Sequence, residues 1–132
     1  NKLLFYYKDL EGHEDNSCKR VKSVVKNLNK YAENLKKFDT KLMLLIAPDK
    51  FHVYKQYLHK KKKENKLFDC IRSSKIKFEF INSDILLKNA VKNGVKEVYQ
   101  FDDTHWTSKA IKILFDKSIF FKNLNKKNEN IN

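Results

Sequence analysis

The sequence predicts an α/β fold built on a parallel, layered sheet, and three observations support this prediction. Short apolar stretches alternate along the chain with segments of helical periodicity, and no internal repeat interrupts the alternation. Hydrophobic residues make up 41% of the 132 residues, which is enough for one domain with a buried core. The chain contains only 2 Gly and 1 Pro, which excludes collagen-like and low-complexity classes.

The N-terminal half is predicted to hold two strands and three helices. Residues 2–7 (KLLFYY) form a short apolar and aromatic run that is typical of a strand. Ser17 can cap a helix that extends to Phe38, because apolar residues recur at helical spacing on one face. Residues 41–47 are almost continuously apolar, which predicts a strand buried on both faces. Pro48 ends this strand, and the apolar spacing over residues 51–60 and 67–71 predicts two short helices.

The C-terminal half repeats the alternation of strands and helices. Residues 75–81 alternate strictly between polar and apolar and predict a strand. Ser83 or Asp84 can cap a helix through Asn93, which Gly94 ends. Residues 95–101 predict a fourth strand, residues 102–106 a loop, and the apolar positions of 110–119 a last helix. Residues 122–132 form a polar tail, and residues 1–121 form the predicted domain.

The formal charge of +13 does not identify a nucleic-acid-binding protein. Of the 29 basic residues 27 are Lys, and the chain also contains 14 Asn. Nucleic-acid readers use Arg for bidentate contacts, so we interpret this charge as a compositional bias and expect no nucleic-acid partner. The longest run of lysines, residues 60–63, is expected to be a solvated segment. Cys18 and Cys70 form either one disulfide or two free thiols, because their spacing matches no metal site or disulfide framework.

The loop after the fourth strand holds the residues best suited to chemistry. Asp103 and His105 are two positions apart at a strand-to-helix junction. A carboxylate placed against Nδ1 fixes the imidazole tautomer and leaves Nε2 as a general base, with Trp106 as a wall that excludes water. The same Asp-x-His pattern would also result if Asp103 capped the following helix, or if Asp103 and His105 were both ligands of a metal ion. In parallel sheets such loops lie beside one another, so the turn at residues 48–50 is expected nearby.

The other histidines are weaker candidates. His52 and His59 are seven positions apart and would share one helix face, and a surface or interface role is favoured over a metal site. His13 lies in an acidic loop and is expected to be solvated. We therefore predict neither a metal ion nor a cofactor. The chain also lacks an apolar stretch long enough for a membrane-spanning helix and a signal-peptide core.

Three collinear motifs resemble the SGNH hydrolase-like domain of the alginate O-acetyltransferase (AlgX/AlgJ) family. The most specific is Asp103-Thr104-His105-Trp106-Thr107, which follows Val98-Tyr99 and precedes a helix. The second is residues 44–50 (LLIAPDK), followed by Val53-Tyr54, and the third is Leu4-Phe5 near the start. Their order and spacing agree with the family over about residues 3–121.

The resemblance implies an acyl-transfer mechanism. Asp103 would orient His105, which would activate a serine that passes an acetyl group to a sugar hydroxyl or, in an esterase, to water. Supporting roles would fall to Tyr99, Trp106, Thr107 and Lys50. The resemblance also implies a polysaccharide acceptor, an acetyl donor that a membrane O-acyltransferase could supply, and an extracytoplasmic location in the periplasm or cell envelope.

The chain departs from the family at the nucleophile. The family's serine lies in a Gly-x-Ser segment downstream of the Asp-x-His pair, and no serine of this chain follows such a glycine. We therefore expect an incomplete SGNH hydrolase-like fold, truncated before the serine and inactive by itself. The alternatives are a carbohydrate esterase of the same fold, or a basic module that binds nucleic acid or polysaccharide without catalysis.

Overall fold

A computed structural model describes residues 4–6, 18–58 and 65–117. Helices dominate this part of the chain, and two short strands lie between them. In chain order the elements are α1 (Cys18–Lys36), β1 (Met43–Leu45), α2 (Lys50–Tyr54), a 3₁₀ turn (Lys55–Tyr57), α3 (Leu67–Arg72), β2 (Glu79–Ile81), α4 (Ser83–Lys92) and α5 (Ser108–Lys117).

The two strands pair in parallel, which confirms the predicted α/β class. Met43 is opposite Glu79 and Leu45 is opposite Ile81 in the ladder. A parallel pair needs a crossover connection, and here the crossover contains α2 and α3. Within the described residues, β1 and β2 form the only sheet.

Two apolar clusters form the core of the described chain. In one, side chains of α1 and α3 pack with residues next to and within the strands, and its buried members are Val25, Ala32, Ile71 and Phe78. The other joins α2, α4 and α5 to the segment before the candidate site, and its buried members are Val53, Leu87, Val98, Tyr99, Ala110 and Leu114. The second cluster therefore packs against the residues on either side of the Asp103–His105 loop and supports it.

The two cysteines form a disulfide between α1 and α3. Their Cα atoms are 5.3 Å apart, and 52 residues separate them in sequence. Of the two alternatives that the sequence leaves open, the structure shows the bridge. It joins the first residue of α1 to a side chain of α3 that is 2% exposed.

Four strand predictions need correction. Residues 95–101 contribute only an isolated antiparallel bridge between Tyr99 and Trp106, because the chain turns back on itself there. Residues 4–6 have no strand structure, although the Leu4 N–H donates to the Phe101 carbonyl at 2.9 Å. The strand predicted at 41–47 is shorter and is not buried on both faces, since Leu45 is 38% exposed. The strand predicted at 75–81 likewise begins only at Glu79.

The helix ends agree better with the sequence. Gly94 has φ +83° and its N–H donates to the Val91 carbonyl, which confirms the predicted end of α4. The prediction that Ser83 or Asp84 caps α4 is wrong, because Asn82 is the N-cap residue. The Ser83 hydroxyl instead donates to the Ile46 carbonyl. The helix predicted at 51–60 begins at Lys50 and changes to a 3₁₀ turn after Tyr54.

Among the described helices, none is long and apolar enough to span a membrane.

Candidate functional site

Asp103 and His105 form a hydrogen-bonded pair on the loop before α5. The distance from Asp103 Oδ1 to His105 Nδ1 is 2.6 Å. The side chain of His105 is 81% exposed, and its Nε2 has no hydrogen-bond partner among the described residues. This is the arrangement that the Asp-x-His spacing predicts: the carboxylate fixes the ring and leaves the outer nitrogen accessible.

The same carboxylate oxygen also shapes the loop. Asp103 Oδ1 accepts the backbone N–H of His105 at 3.1 Å and the backbone N–H of Thr104. These bonds form an Asx-type turn that brings position 105 back toward position 103. The hydrogen bonds from His105, and then that from Thr104, lower the pKa of Asp103 below its ordinary value. The carboxylate is therefore held in its charged form beside the imidazole.

Lys50 anchors this loop from α2. Its ammonium donates to the carbonyl oxygens of Gln100 at 2.5 Å, Asp103 at 2.8 Å and Phe101 at 3.3 Å. The residue is 0% exposed, and the Phe5 ring centroid lies 5.7 Å from Nζ. Burial lowers the pKa of Lys50, whereas the charges of Asp102 and Asp103 act in the opposite direction.

The other predicted supporting residues also lie around the loop. The Tyr99 hydroxyl donates to the Pro48 carbonyl at 2.6 Å and so joins the two loops. Trp106 is partly buried against the apolar cluster below the site. Thr107 donates its hydroxyl to the Glu97 carbonyl at 2.6 Å and its N–H to Val98 at 3.1 Å, which fixes the start of α5. Asp49, next to Lys50, caps α2 by accepting the His52 N–H at 2.5 Å.

A cavity of about 550 Å³ opens between the two loops. It is lined by Tyr6, Ala47, Pro48, Asp49, Lys50, Thr104, His105 and Trp106. Aromatic and small apolar side chains form much of its wall, and the imidazole of His105 borders it. Such a cavity can hold a small ligand beside the accessible Nε2 atom of the imidazole.

In the described part of the chain, no serine lines this cavity. None of the described serine hydroxyls hydrogen bonds with His105; Ser73 and Ser74, for example, donate to the Cys70 carbonyl. Nor do the described residues contain a group of three or more His, Cys, Asp or Glu side chains that could hold a metal ion. His13, His59, Ser118, residues 60–63 and the tail at 122–132 lie outside the described residues.

A second charged cluster is buried, and the sequence did not predict it. Asp84 is 1% exposed and accepts three hydrogen bonds from Arg72, the shortest at 2.9 Å. His52 Nε2 lies 3.6 Å from Asp84 Oδ2 and 2.9 Å from the Lys88 ammonium. The expectation that His52 lies at the surface is therefore wrong, because the ring is 6% exposed and stacks on Phe68.

Burial alone would raise the pKa of Asp84. The contacts with His52 and Arg72 outweigh burial, and the pKa falls to about 2. The spacing of Asp84 and Lys88 at i and i+4 placed both on one face of α4, which was the one local signal of this cluster. Its other members come from α2 and α3, so only the tertiary structure brings them together.

Comparison of the chain with protein-family models, with curated proteins and with solved structures returned no match.

Proposed function

We propose that this chain contributes the general base and its orienting carboxylate to an O-acetyltransferase that acts on a cell-envelope or exported polysaccharide. His105 would take the proton of a serine nucleophile supplied from outside the sequence. The serine oxygen would attack the acetyl carbonyl carbon and form an ester, while the donor's leaving group departs with the proton from His105. A sugar hydroxyl would then give its proton to His105 and attack this ester, so that the acetyl group passes to the sugar oxygen and the proton returns to the serine. Asp103 would stabilise the imidazolium that forms when His105 accepts the proton.

The 2.6 Å bond between Asp103 Oδ1 and His105 Nδ1 is the observation that supports this proposal best. The bond holds Nδ1 as the protonated nitrogen, so Nε2 is the ring atom available to accept a proton. The exposed ring borders a cavity of about 550 Å³, where an acyl donor and an acceptor can approach. Lys50 and Tyr99 support the loop through backbone carbonyls and leave the imidazole accessible.

An extracytoplasmic location is part of the proposal. The Cys18–Cys70 disulfide supports it, because disulfides persist in oxidising compartments and are rare in the cytosol.

The proposal is tested on the protein that carries this sequence together with its serine segment. Acetyl transfer from an activated acetyl ester to oligosaccharides is measured for the wild type and for Asp103→Asn, His105→Ala and Asp102→Asn. We expect the first two variants to lose roughly 10³–10⁴-fold in kcat. Asp102→Asn serves as the matched control, since it removes an adjacent carboxylate that has no hydrogen bond with His105, and we expect less than about a fivefold change.

Three outcomes separate the proposal from its alternatives. Transfer to the sugar that depends on His105 supports the acetyltransferase. Hydrolysis of the ester that depends on His105, without sugar product, would identify the esterase of the same fold instead. If the wild type and His105→Ala both stay at the background rate, both enzymatic roles are rejected and a binding module remains. Equal activity above that rate would reject His105 as the general base.

A further inference from the structure

A basic groove lies between α1 and the segment that connects α3 to β2. Its volume is about 520 Å³, and it shares no residue with the cavity at His105. Ten residues line it: Lys22, Val25, Lys26, Asn29, Lys30, Glu33, Ser73, Ser74, Lys75 and Lys77. Five lysines and one glutamate give the groove a formal charge of +4.

The lysines are arranged in a row. Lys22, Lys26 and Lys30 follow one another at i, i+4 and i+8 on α1, so about 6 Å of helix axis separates each from the next. Lys75 faces them from the opposite wall. This arrangement suits an extended ligand with repeated negative charges better than a single small anion.

Four of the five ammonium groups are available to a ligand. The Lys77 ammonium pairs with the Glu33 carboxylate. Within the described ranges 4–6, 18–58 and 65–117, no acidic side chain forms an ion pair with Lys22, Lys26, Lys30 or Lys75. The groove therefore concentrates positive charge that the described structure does not neutralise.

Both walls of the groove are held in place. Asn29 donates from its side-chain amide to the Lys75 carbonyl at 2.9 Å and accepts the Lys77 N–H at 2.8 Å. The Cys18–Cys70 disulfide joins α1 to α3, the helix that precedes the second wall. A groove whose walls are already fixed loses little conformational entropy on binding.

The chemistry of the groove favours an acidic glycan over a nucleic acid. Its cations are all lysines, which act as point charges, and it contains neither Arg for bidentate contacts nor an aromatic ring on which a base could stack. Ser73 and Ser74 donate their hydroxyl protons to the Cys70 carbonyl, so the ammonium groups are the available donors.

We propose that this groove binds a strand of acidic glycan, whose carboxylate or sulfate groups contact the row of lysines on α1. The site is independent of the proposed acyl transfer, because no residue is common to the two. Binding and catalysis can therefore fail separately in experiments.

The test is isothermal titration calorimetry on the protein that carries this sequence, with polygalacturonate, heparin, neutral dextran and duplex DNA. The groove variant is Lys22→Gln/Lys26→Gln/Lys30→Gln, and the matched control Lys66→Gln/Lys92→Gln/Lys96→Gln removes the same charge elsewhere. Both variants should remain folded, because all six lysines are exposed and because Gln and Lys have similar helix propensity at the positions that lie in helices. At about 50 mM salt we expect the groove variant to lose about tenfold in affinity for the acidic glycans, and the control less than about threefold.

A further variant is expected to strengthen glycan binding instead of weakening it. Glu33→Gln removes the groove's only acid and releases Lys77, so it should strengthen glycan binding by about two- to threefold. The carboxylated and the sulfated glycan show which acidic group the groove prefers, and either supports the proposal. Equal loss in the two triple variants, tighter binding of DNA than of both glycans, or no glycan binding by the wild type would overturn it.

Discussion

The Lys50 ammonium lies 2.8 Å from the main-chain carbonyl oxygen of Asp103, although 53 residues separate the two in sequence. The bond belongs to a set of three that Lys50 donates to the loop before α5. The Pro-Asp-Lys turn and the Asp-x-His segment are therefore parts of one structural unit. A buried cation determines the path of the backbone, and the backbone in turn determines where the carboxylate meets the imidazole.

Replacing Lys50 with Met should loosen this loop. Met fills similar volume but leaves the Gln100, Phe101 and Asp103 carbonyls without their donor. Hydrogen bonds to a charged group contribute about 1.5–3 kcal/mol, and we expect the free energy of unfolding to fall by about 3 kcal/mol. Urea denaturation measures the loss, and amide hydrogen exchange locates it: the Gln100 N–H, bonded to the His105 carbonyl at 3.0 Å, should exchange faster.

The matched control for this prediction is Lys41→Met, because Lys41 is exposed. Its effect on stability should be within about 0.5 kcal/mol. Unchanged exchange at Gln100 in Lys50→Met would show that the three carbonyl bonds do not maintain the loop.

The hydrogen bond between His105 and Asp103 should be visible in the titration of the carboxylate. Because His105 lowers the pKa of Asp103, His105→Ala should raise that pKa toward its ordinary value of 3.8. Carbon-detected NMR of the Asp103 carboxyl across acidic pH measures the change. Thr104→Val is the control, since its hydroxyl is 3.4 Å from Oδ1 and its backbone N–H is retained. A shift as large in Thr104→Val as in His105→Ala would contradict the assignment.

Asp84 should contribute much more to stability than Asp69, although both carboxylates pair with Arg72. Asp84 is 1% exposed, whereas the Asp69 side chain is 67% exposed. Removing one partner of a buried pair leaves the other charge unpaired, so Asp84→Asn should cost about 3 kcal/mol. Asp69→Asn removes a surface pair and should cost less than about 1 kcal/mol. Similar losses in the two variants would show that burial does not strengthen the Asp84 pair.

The same carboxylate predicts how stability depends on pH. The pKa of Asp84 is about 2 in the folded chain and 3.8 ordinarily, so its stabilisation is complete above pH 3.8 and is lost as the pH falls toward 2. The difference corresponds to about 2 kcal/mol. Urea denaturation between these pH values should show a decline in the wild type that is weaker in Asp84→Asn.

The sequence predicted local features more accurately than long-range ones. The apolar spacing located α1 and α3, and the glycine after α4 marked where that helix ends. The contact between Asp103 and His105 was one of the arrangements that their two-residue spacing allowed, and it forms locally because an Asx turn needs only neighbouring residues. Local signals of this kind depend on few other parts of the chain.

Pairing between distant segments was harder to predict. Residues 95–101 have strand propensity, but Tyr99 pairs with Trp106 rather than joining the sheet. The sequence predicts a surface or interface position for His52, because no local pattern shows that this ring contacts Phe68 and Asp84. The sequence indicated a supporting role for Lys50 only through family resemblance, since its carbonyl acceptors are 50 or more residues away.

Loss of the disulfide should destabilise the chain by about 4 kcal/mol. The Cys18–Cys70 bridge closes a loop with a sequence separation of 52. In the chain-entropy model, removing the bridge increases the conformational entropy of the unfolded chain, and this lowers the free energy of unfolding by about 4 kcal/mol. Cys18→Ala/Cys70→Ala, measured by urea denaturation, should match the wild type under reducing conditions and be less stable than the oxidised wild type. Addition of reductant to the double variant is the control and should change nothing. If the oxidised wild type and the double variant were equally stable, the bridge would not constrain the unfolded chain.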